Sequence, residues 1–514
     1  MFLLPLPHSN LLPPRDGAVR ACSIVDAGTQ KSYLMTIEQG RALLRQVKDR
    51  IGARHTLAFI DVAHRELNRE PSDGMPWLER LPYVWLLIVK WALAGWRPED
   101  DRPDPSDEDI NSIVQTTWDA MGHLLRVEGQ PTIFMRRMAL QQIWLQRKFD
   151  TSAIPRQFRI LGELMVGSAA TERFRQRYGL TPAEFSVVMM HMVADAGDLL
   201  DRPALSELRP GTPRTREHWV AVREILDRTV PQLQREFSDM EARNTPAEVE
   251  VCEQSPLVRT PFIASRNLGP VCIHPILLFR LLETVLFDLA RGIDSRPFMN
   301  EFGPAFENYL AEVLEDLNVQ VIREDELSRR LIGVGQVVDF AVASDDALVL
   351  IDAKGIEGHY DELYHNLPEE LAARLRTSLL RAVDQAIATV ARLPADLRRN
   401  AIYFLCVTFK QVVVTDGLAL RELTVGTTEW AHPRWDSNVL TPARMLFPSA
   451  FEFESIVALA KTQQVPISQV VCDIVADNDN PGARKLLLEQ HVMGRRAPLD
   501  APAVIQWAAN RLRQ

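Results

Sequence analysis

Residues 348–354 read LVLIDAK, an apolar run that leads directly into Asp352 and Lys354. The run predicts a buried β-strand over 347–353, and its last residues form the single acid-x-lysine triplet of the chain. Side chains alternate between the two faces of a strand, so Asp352 and Lys354 are expected on one face at the strand's end. This strand end is therefore where chemistry is expected.

A third charged group interrupts the preceding apolar segment, for which we predict a strand over 336–343. This group is Asp339, and a carboxylate inside an apolar strand is costly unless something binds it. If the two strands pair, Asp339 meets Asp352 and Lys354. The alternative interpretation of the three residues is a salt-bridged strand end.

The surrounding sequence predicts a mixed α/β layer. The predicted elements are a helix over 304–317, a strand over 319–323, a helix over 371–393 and strands over 401–408 and 411–415. On the first of these helices, Glu307 lies at the edge of the apolar face, so it can reach the sheet. An ordinary acid at the boundary of the core is the alternative for Glu307.

Two or three carboxylates beside a lysine suit metal-assisted hydrolysis of a phosphodiester bond. Hard oxygen ligands select Mg²⁺ or Mn²⁺ over zinc. The metal polarises the phosphate and lowers the pKa of a bound water, and the lysine supplies a compact positive charge. The sequence therefore favours a metal-dependent nuclease.

The arrangement resembles the PD-(D/E)xK nuclease superfamily, which has the restriction-endonuclease-like fold with an αβββαβ core. Asp339 matches the acid of the second strand, and Asp352 and Lys354 match the (D/E)xK motif. Glu307 matches the acid that often comes from the first helix. Val338 stands where the name-giving proline would be.

The resemblance implies further roles for residues around the motif. It implies that Asp339, Asp352, Glu307 and the carbonyl of Ala353 hold the metal ion. It also implies that Gln385, on the helix after the motif, belongs to the site, although a polar residue on a half-exposed helix needs no role. The resemblance covers about 300–415, so it indicates a nuclease without indicating the substrate.

The 514-residue length suggests several domains, and the net charge of −10 excludes a histone-like protein coated in positive charge. We predict an α+β protein: a helical N-terminal domain (1–202), a segment with linker, helix, β-hairpin and apolar helix (203–295), the nuclease core (296–438) and a helical C-terminal extension (439–514). Within the second segment, the helices are predicted over 216–243 and 275–291.

Basic residues concentrate near the predicted site. Residues 371–400 contain six arginines and two acids, and Arg374, Arg376 and Arg381 are the candidates for nucleic-acid phosphate contact. Solubility and helix propensity are the alternative explanation of these arginines. No recognition-helix or zinc-finger pattern is present, so sequence-specific readout is not predicted.

The sequence also indicates a cytoplasmic protein. Its five cysteines are far apart and form no CxxC pair, and no secretion signal is visible. The longest apolar run, residues 83–96, carries Lys90 and is shorter than the ~20 residues that a bilayer needs. We therefore expect a buried helix there and no membrane association.

The functional hypothesis is a Mg²⁺- or Mn²⁺-dependent endonuclease acting on DNA, with RNA or tRNA as the second choice. A homodimer would fit a nuclease that cuts two strands. A role in bacterial defence against phage or foreign DNA, with a defence-system partner protein, is a further hypothesis from the helical-plus-nuclease layout. The alternative is a non-catalytic nucleic-acid- or partner-binding protein that keeps the fold.

Overall fold

The computed structural model of the chain describes most of the sequence. The described ranges are 27–68, 82–124, 149–199, 213–243, 246–251, 255–265, 269–355, 368–480, 483–485, 487–493 and 500–512, with residues 136 and 253. The predicted linker after residue 203 lies outside them up to residue 212.

The N-terminal part is helical, as the sequence predicts. Its helices are Ala27–Gly52, Thr56–Asn68, Pro82–Ala94, Asp107–Leu124, Ala153–Gln157 continuing as a π-helix over Phe158–Leu164, Ala169–Tyr178 and Pro182–Leu199. The apolar run forms the buried helix Pro82–Ala94. Within the described ranges, no helix combines the length and apolar character needed to span a membrane.

The middle segment contains more breaks than the sequence predicts. The helix expected over 216–243 is two helices, Pro213–Leu226 and Val230–Ala242, separated by the two-residue strand β1 (Asp227–Arg228). The break has a local cause, because Thr229 and Gln232 form a capping box that starts a new helix. A short helix, Ala247–Glu250, and a 3₁₀ turn, Pro256–Val258, follow.

The predicted β-hairpin is present, formed by β2 (Phe262–Ser265) and β3 (Gly269–Cys272). β1 joins β2 in parallel, so the three strands form a small sheet. The apolar helix expected over 275–291 is two helices, Pro275–Leu282 and Val285–Ile293. Glu283, at the break, accepts a hydrogen bond from the backbone N–H of Asp150 at 3.1 Å.

The second half of the chain contains a five-stranded mixed sheet. Its strands are β4 (Val321–Arg323), β5 (Phe340–Ala343), β6 (Ala347–Lys354), β7 (Ala401–Thr408) and β8 (Met445–Leu446), in the order β4-β5-β6-β7-β8. β4, β5 and β6 pair antiparallel, whereas β6, β7 and β8 pair parallel. The α+β class of the prediction is thus confirmed.

Helices cover both faces of this sheet. On one face, Ser295–Glu315 packs with Ala450–Gln463 and with helices of the N-terminal part in one continuous core. On the other face, Leu379–Ala391 packs against the alternate side chains of β5, β6 and β7. The remaining helices are Glu324–Arg330, Pro368–Arg376, Gly417–Glu422, Ile467–Asp479, Glu489–Met493 and Ala503–Leu512, with 3₁₀ turns at Pro433–Asp436 and Pro442–Arg444.

Two predicted strands are wrong in extent or position. β5 begins at Phe340 rather than at 336, because side chains of the neighbouring helical segment bind the backbone before it: Gln385 donates to the Val337 carbonyl. The strand expected over 411–415 is absent. Val413 there has a φ of 50°, in the left-handed region that a strand cannot accommodate, and β8 takes the place next to β7.

Two predicted helices also differ from the structure. The helix expected from 304 begins at Ser295, so Pro304 lies inside it, because buried Phe298 and Phe302 anchor the earlier turns in the core. The helix expected over 371–393 is two helices, Pro368–Arg376 and Leu379–Ala391. Ser378, at φ −123° and ψ −100°, departs from helical geometry and divides them.

Candidate active site

Charged side chains from three segments align across one end of the five-stranded sheet. When the β4–β5 and β5–β6 registers are extended by one residue, Glu324 lies opposite Asp339, and Asp339 lies opposite Asp352. Asp352 in turn pairs with Cys406 of β7. In an antiparallel pair, the end of one strand lies beside the start of its neighbour. Acids that are distant in sequence therefore form one row across the sheet.

Asp352 and Lys354 lie in direct contact at the end of β6. Lys354 Nζ lies 2.6 Å from Asp352 Oδ2, and the Asp352 carboxylate is fully buried, whereas the Lys354 side chain is 26% exposed. Within the described part of the chain, Asp352 Oδ2 accepts no aligned hydrogen bond. The ammonium of Lys354 is thus the close charge partner of this oxygen.

Asp339 lies immediately before β5 rather than inside a strand, and it is half-buried. Its Oδ2 accepts a hydrogen bond from the backbone N–H of Ala353 at 2.6 Å. The bond fixes the peptide between the two charged residues of β6. The role of the Ala353 carbonyl as a metal ligand stays a prediction.

Gln385 reaches the same group of side chains from helix Leu379–Ala391. Its Nε2 lies 3.3 Å from Asp352 Oδ1 and also donates to the Val337 carbonyl. Its Oε1 lies 3.5 Å from Lys354 Nζ. The amide therefore contacts both members of the ion pair and orients them from the side of the helix.

Glu307 is half-buried on helix Ser295–Glu315. Burial raises the pKa of Glu307, and the nearby charge of Asp339 raises it further. The same two causes raise the pKa of Glu324, which is exposed. Both glutamates therefore lie within electrostatic range of Asp339. The role of Glu307 in a metal site stays a prediction, and Glu324 was not among the predicted residues.

The position of Glu324 in the sequence could have identified it as a site residue. It follows the predicted first strand directly and begins an acidic run of three residues. Once β4 is known to pair antiparallel with β5, the end of β4 must lie beside Asp339. The missing information was the strand register, not the residue type.

The two aspartates affect each other's pKa in opposite directions: Asp339 raises the pKa of Asp352, whereas the contact with Asp352 lowers that of Asp339. Burial and the negative charge of Asp339 raise the pKa of Asp352 to about 7, against the opposing charge of Lys354. Burial also raises the pKa of Asp339. Burial opposes protonation of Lys354, but the charges of Asp352 and Asp339 outweigh it and raise its pKa. Lys354 is therefore cationic at neutral pH.

The group as a whole carries more negative than positive charge. Lys354 interacts with Asp352 and Asp339, and the carboxylates of Glu307 and Glu324 lie within electrostatic range of Asp339. Arg323, near Glu307, is the second cation of the group. In the ranges described here, no three acidic, cysteine or histidine side chains already stand as a formed metal-binding group. The fit to Mg²⁺ or Mn²⁺ rests instead on the excess of carboxylates over cations and on the all-oxygen donor set.

Of the three arginines predicted to contact phosphate, Arg376 is ion-paired within the protein. Arg374, Arg376 and Arg381 are all exposed, but Arg376 Nε donates to Glu429 at 2.9 Å. Other arginines of the basic region bind within the protein: Arg392 donates to the Gln336 carbonyl, Arg398 to Leu393, Arg399 to Ser344, and Arg330 pairs with Asp396. Much of the local positive charge is thus structural.

Comparison with known proteins adds no relative. No protein-family model, no curated protein and no solved structure matches the chain.

Proposed function

We propose that this protein is a Mg²⁺- or Mn²⁺-dependent nuclease of the PD-(D/E)xK type, with Asp339, Asp352, Lys354, Glu307 and Gln385 as its active site. The observation that carries the proposal is the surplus of carboxylates around the Asp352–Lys354 pair at the end of β6. A surplus of buried negative charge is costly in the isolated protein, and a divalent cation would relieve that cost.

Each residue has a task that its position supports. Asp352, Asp339 and Glu307 would hold the cation, and Ala353, fixed by Asp339, would present its carbonyl beside them. A bound Mg²⁺ would polarise the scissile phosphate and lower the pKa of the attacking water. Lys354 keeps its positive charge where negative charge develops in the transition state, and Gln385 holds Lys354 and Asp352 in register.

DNA is the proposed substrate, and RNA is the second candidate. Arg374 and Arg381 are exposed and suit phosphate contact, which does not distinguish the two polymers. Cytoplasmic location and a role in defence against foreign DNA remain hypotheses attached to this proposal.

The test uses the purified full-length chain with plasmid DNA and with total RNA, each with Mg²⁺ and with EDTA. Wild type is compared with Lys354→Ala and with Lys461→Ala, an exposed lysine that pairs with Asp316 away from the site. We expect metal-dependent cutting by wild type and Lys461→Ala, and none by Lys354→Ala.

Calorimetry with Mg²⁺ completes the test, because Lys354→Ala keeps the carboxylates and should still bind the metal. If Lys354→Ala cuts like wild type, the site is misassigned. If wild type cuts neither polymer and binds no Mg²⁺, the fold is one kept for binding, and the enzymatic proposal fails.

A further inference from the structure

A second concentration of charge, opposite in sign to the first, surrounds a cavity of about 450 Å³ on the helical side of the protein. Helices Pro213–Leu226, Pro275–Leu282 and Val285–Ile293 contribute to its walls. The charged residues of the lining are Arg228, Arg259, Arg280, Arg291, Lys410 and Asp288. Arg280 is ion-paired with Glu283, and Arg228 with Glu236. The other charges of the lining are those of Arg259, Arg291 and Lys410, with Asp288 as the acid.

Lys410 reports the positive potential of this cavity. It is buried, and its Nζ contacts the Asp288 carboxylate and lies 5.1 Å from the centre of the Phe287 ring. Burial lowers the pKa of Lys410, and the charges of Arg291 and Arg259 lower it further, in spite of Asp288. The charged form of Lys410 is thus destabilised by burial and by the neighbouring arginines, although Asp288 pairs with it.

The rest of the lining is mainly apolar. It includes Leu226, Val258, Leu281, Val285 and Leu289. A concave site of this volume, with apolar walls and a few convergent charges, is the usual form of a small-molecule site. The apolar walls favour a ligand with an organic part, and the arginines favour a phosphate, to which guanidinium groups can bind through two parallel hydrogen bonds.

We propose that this cavity binds a small organic phosphate that carries at least two negative charges, held by Arg259, Arg291 and Lys410 against the apolar wall. None of the lining residues belongs to the candidate active site, so the proposal goes beyond the proposed function and does not depend on it. The two sites nevertheless share elements: Ser295 of the lining begins the helix that carries Glu307.

The test measures binding to the full-length chain by calorimetry in EDTA at low ionic strength. The probes are pyrophosphate, ADP and adenosine, which separate the contribution of charge from that of the organic part. We expect ADP to bind more tightly than pyrophosphate, because the apolar wall adds to the affinity, and adenosine to bind at least about tenfold more weakly than ADP. Raising the salt concentration should weaken ADP binding.

The double variant Arg259→Gln/Arg291→Gln removes two charges near the cavity mouth, where both side chains are at least partly exposed, so folding is expected to survive. Arg235→Gln, an exposed arginine outside the lining, is the matched control. We expect ADP affinity to fall at least about tenfold in the double variant and to be unchanged in the control.

Three results would overturn the proposal. They are no binding of either phosphate, binding that the double variant leaves unchanged, and pyrophosphate binding at least as tight as that of ADP. Because the assay contains EDTA and needs no cleavage, its outcome is independent of whether the carboxylate site is a nuclease.

Discussion

Two clusters of lysine and carboxylate side chains, one among the N-terminal helices and one at the end of the five-stranded sheet, differ in how their charges balance. In the helical cluster, two lysines serve three glutamates. Lys48 contacts Glu241 and Glu250 at 2.8 Å, and Lys90 lies 2.9 Å from Glu253 and 3.4 Å from Glu250. In the sheet cluster, Lys354 pairs with Asp352 and lies within electrostatic range of Asp339, while Glu307 and Glu324 add negative charge near Asp339.

The difference is clearest for the most buried carboxylate of each cluster. Burial favours the protonated form of Glu250, but Lys90, Glu241 and Lys48 outweigh it and lower its pKa to about 2. The Asp352 carboxylate is also buried beside a lysine, yet burial and Asp339 raise its pKa to about 7. Burial of a carboxylate is therefore not a sign of function by itself, and burial and Glu250 also raise the pKa of Glu241 in the helical cluster. Asp352 differs from Glu250 in that its lysine does not offset burial and the charge of Asp339.

The largest expected effect comes from neutralising each of these two carboxylates in turn. Asp352→Asn removes a proposed metal ligand, so cleavage should fall by about 1,000-fold and Mg²⁺ binding should be lost. Glu250→Gln should leave cleavage near the wild-type rate but destabilise the fold by about 3 kcal/mol, because it removes the buried carboxylate that Lys48, Lys90 and Trp91 all contact.

Cleavage assays and urea unfolding on both variants measure the two effects. The assignment of the sheet cluster as functional and the helical cluster as structural is wrong if Glu250→Gln abolishes cleavage or Asp352→Asn cuts like wild type. Far-UV circular dichroism of each variant checks that a lost activity is not a lost fold.

The second prediction is that the two carboxylates give opposite pH dependence of stability in the metal-free protein. The pKa of Asp352 is raised from 3.8 to about 7, so the folded state binds the proton more tightly than the unfolded state. The free energy of unfolding should therefore fall as pH rises from about 4 to 7, by on the order of 2 kcal/mol. Glu250, with its lowered pKa, stabilises above about pH 4.5 and loses this contribution as pH falls toward 2.

The difference between wild type and Asp352→Asn in urea unfolding, measured in EDTA at pH values from about 5 to 8, isolates the Asp352 effect. Other groups, such as His274, whose pKa burial lowers to about 4, titrate in both proteins. Asp352→Asn should remove the decline between pH 5 and 7 and should be more stable than wild type at pH 8. A wild-type decline that persists unchanged in Asp352→Asn would assign it to another group.

The strands that carry the site were predictable from sequence because they are long apolar runs. β7 has its predicted bounds, 401–408, and β6 runs one residue past its predicted end, to Lys354. The proximity of Asp339, Asp352 and Lys354 followed from one assumption, that β5 and β6 pair. The PD-(D/E)xK assignment itself stays a prediction.

The parts that failed depend on contacts that a one-dimensional pattern does not contain. The early part of the predicted strand 336–343 is bound by Gln385 and Arg392 instead of by a neighbouring strand. Val413 adopts a left-handed conformation within an apolar run that otherwise suits a strand. Arg376 is paired with Glu429, 53 residues away in sequence, which reduces its value as a phosphate contact.

The smallest predicted effect concerns the neutral donor of each cluster. Gln385 Nε2 lies 3.3 Å from Asp352, and Trp91 Nε1 donates to Glu250 at 2.7 Å. Gln385→Leu should reduce cleavage about tenfold, because Asp352 and Lys354 lose the amide that orients them. Trp91→Phe should leave cleavage unchanged and cost about 1 kcal/mol of stability, the value of one hydrogen bond.

Rates at saturating Mg²⁺ and at limiting Mg²⁺ separate the possible origins of the Gln385 effect. A residue that only orients the pair should be rescued in part by Gln385→Asn or by excess metal, whereas a merely structural glutamine would lower the melting temperature without changing the metal dependence. If Gln385→Leu and Trp91→Phe behave alike, the sheet cluster is another structural ion-pair network. The surplus of carboxylates around Lys354 would then be a cost of folding rather than a means of binding metal.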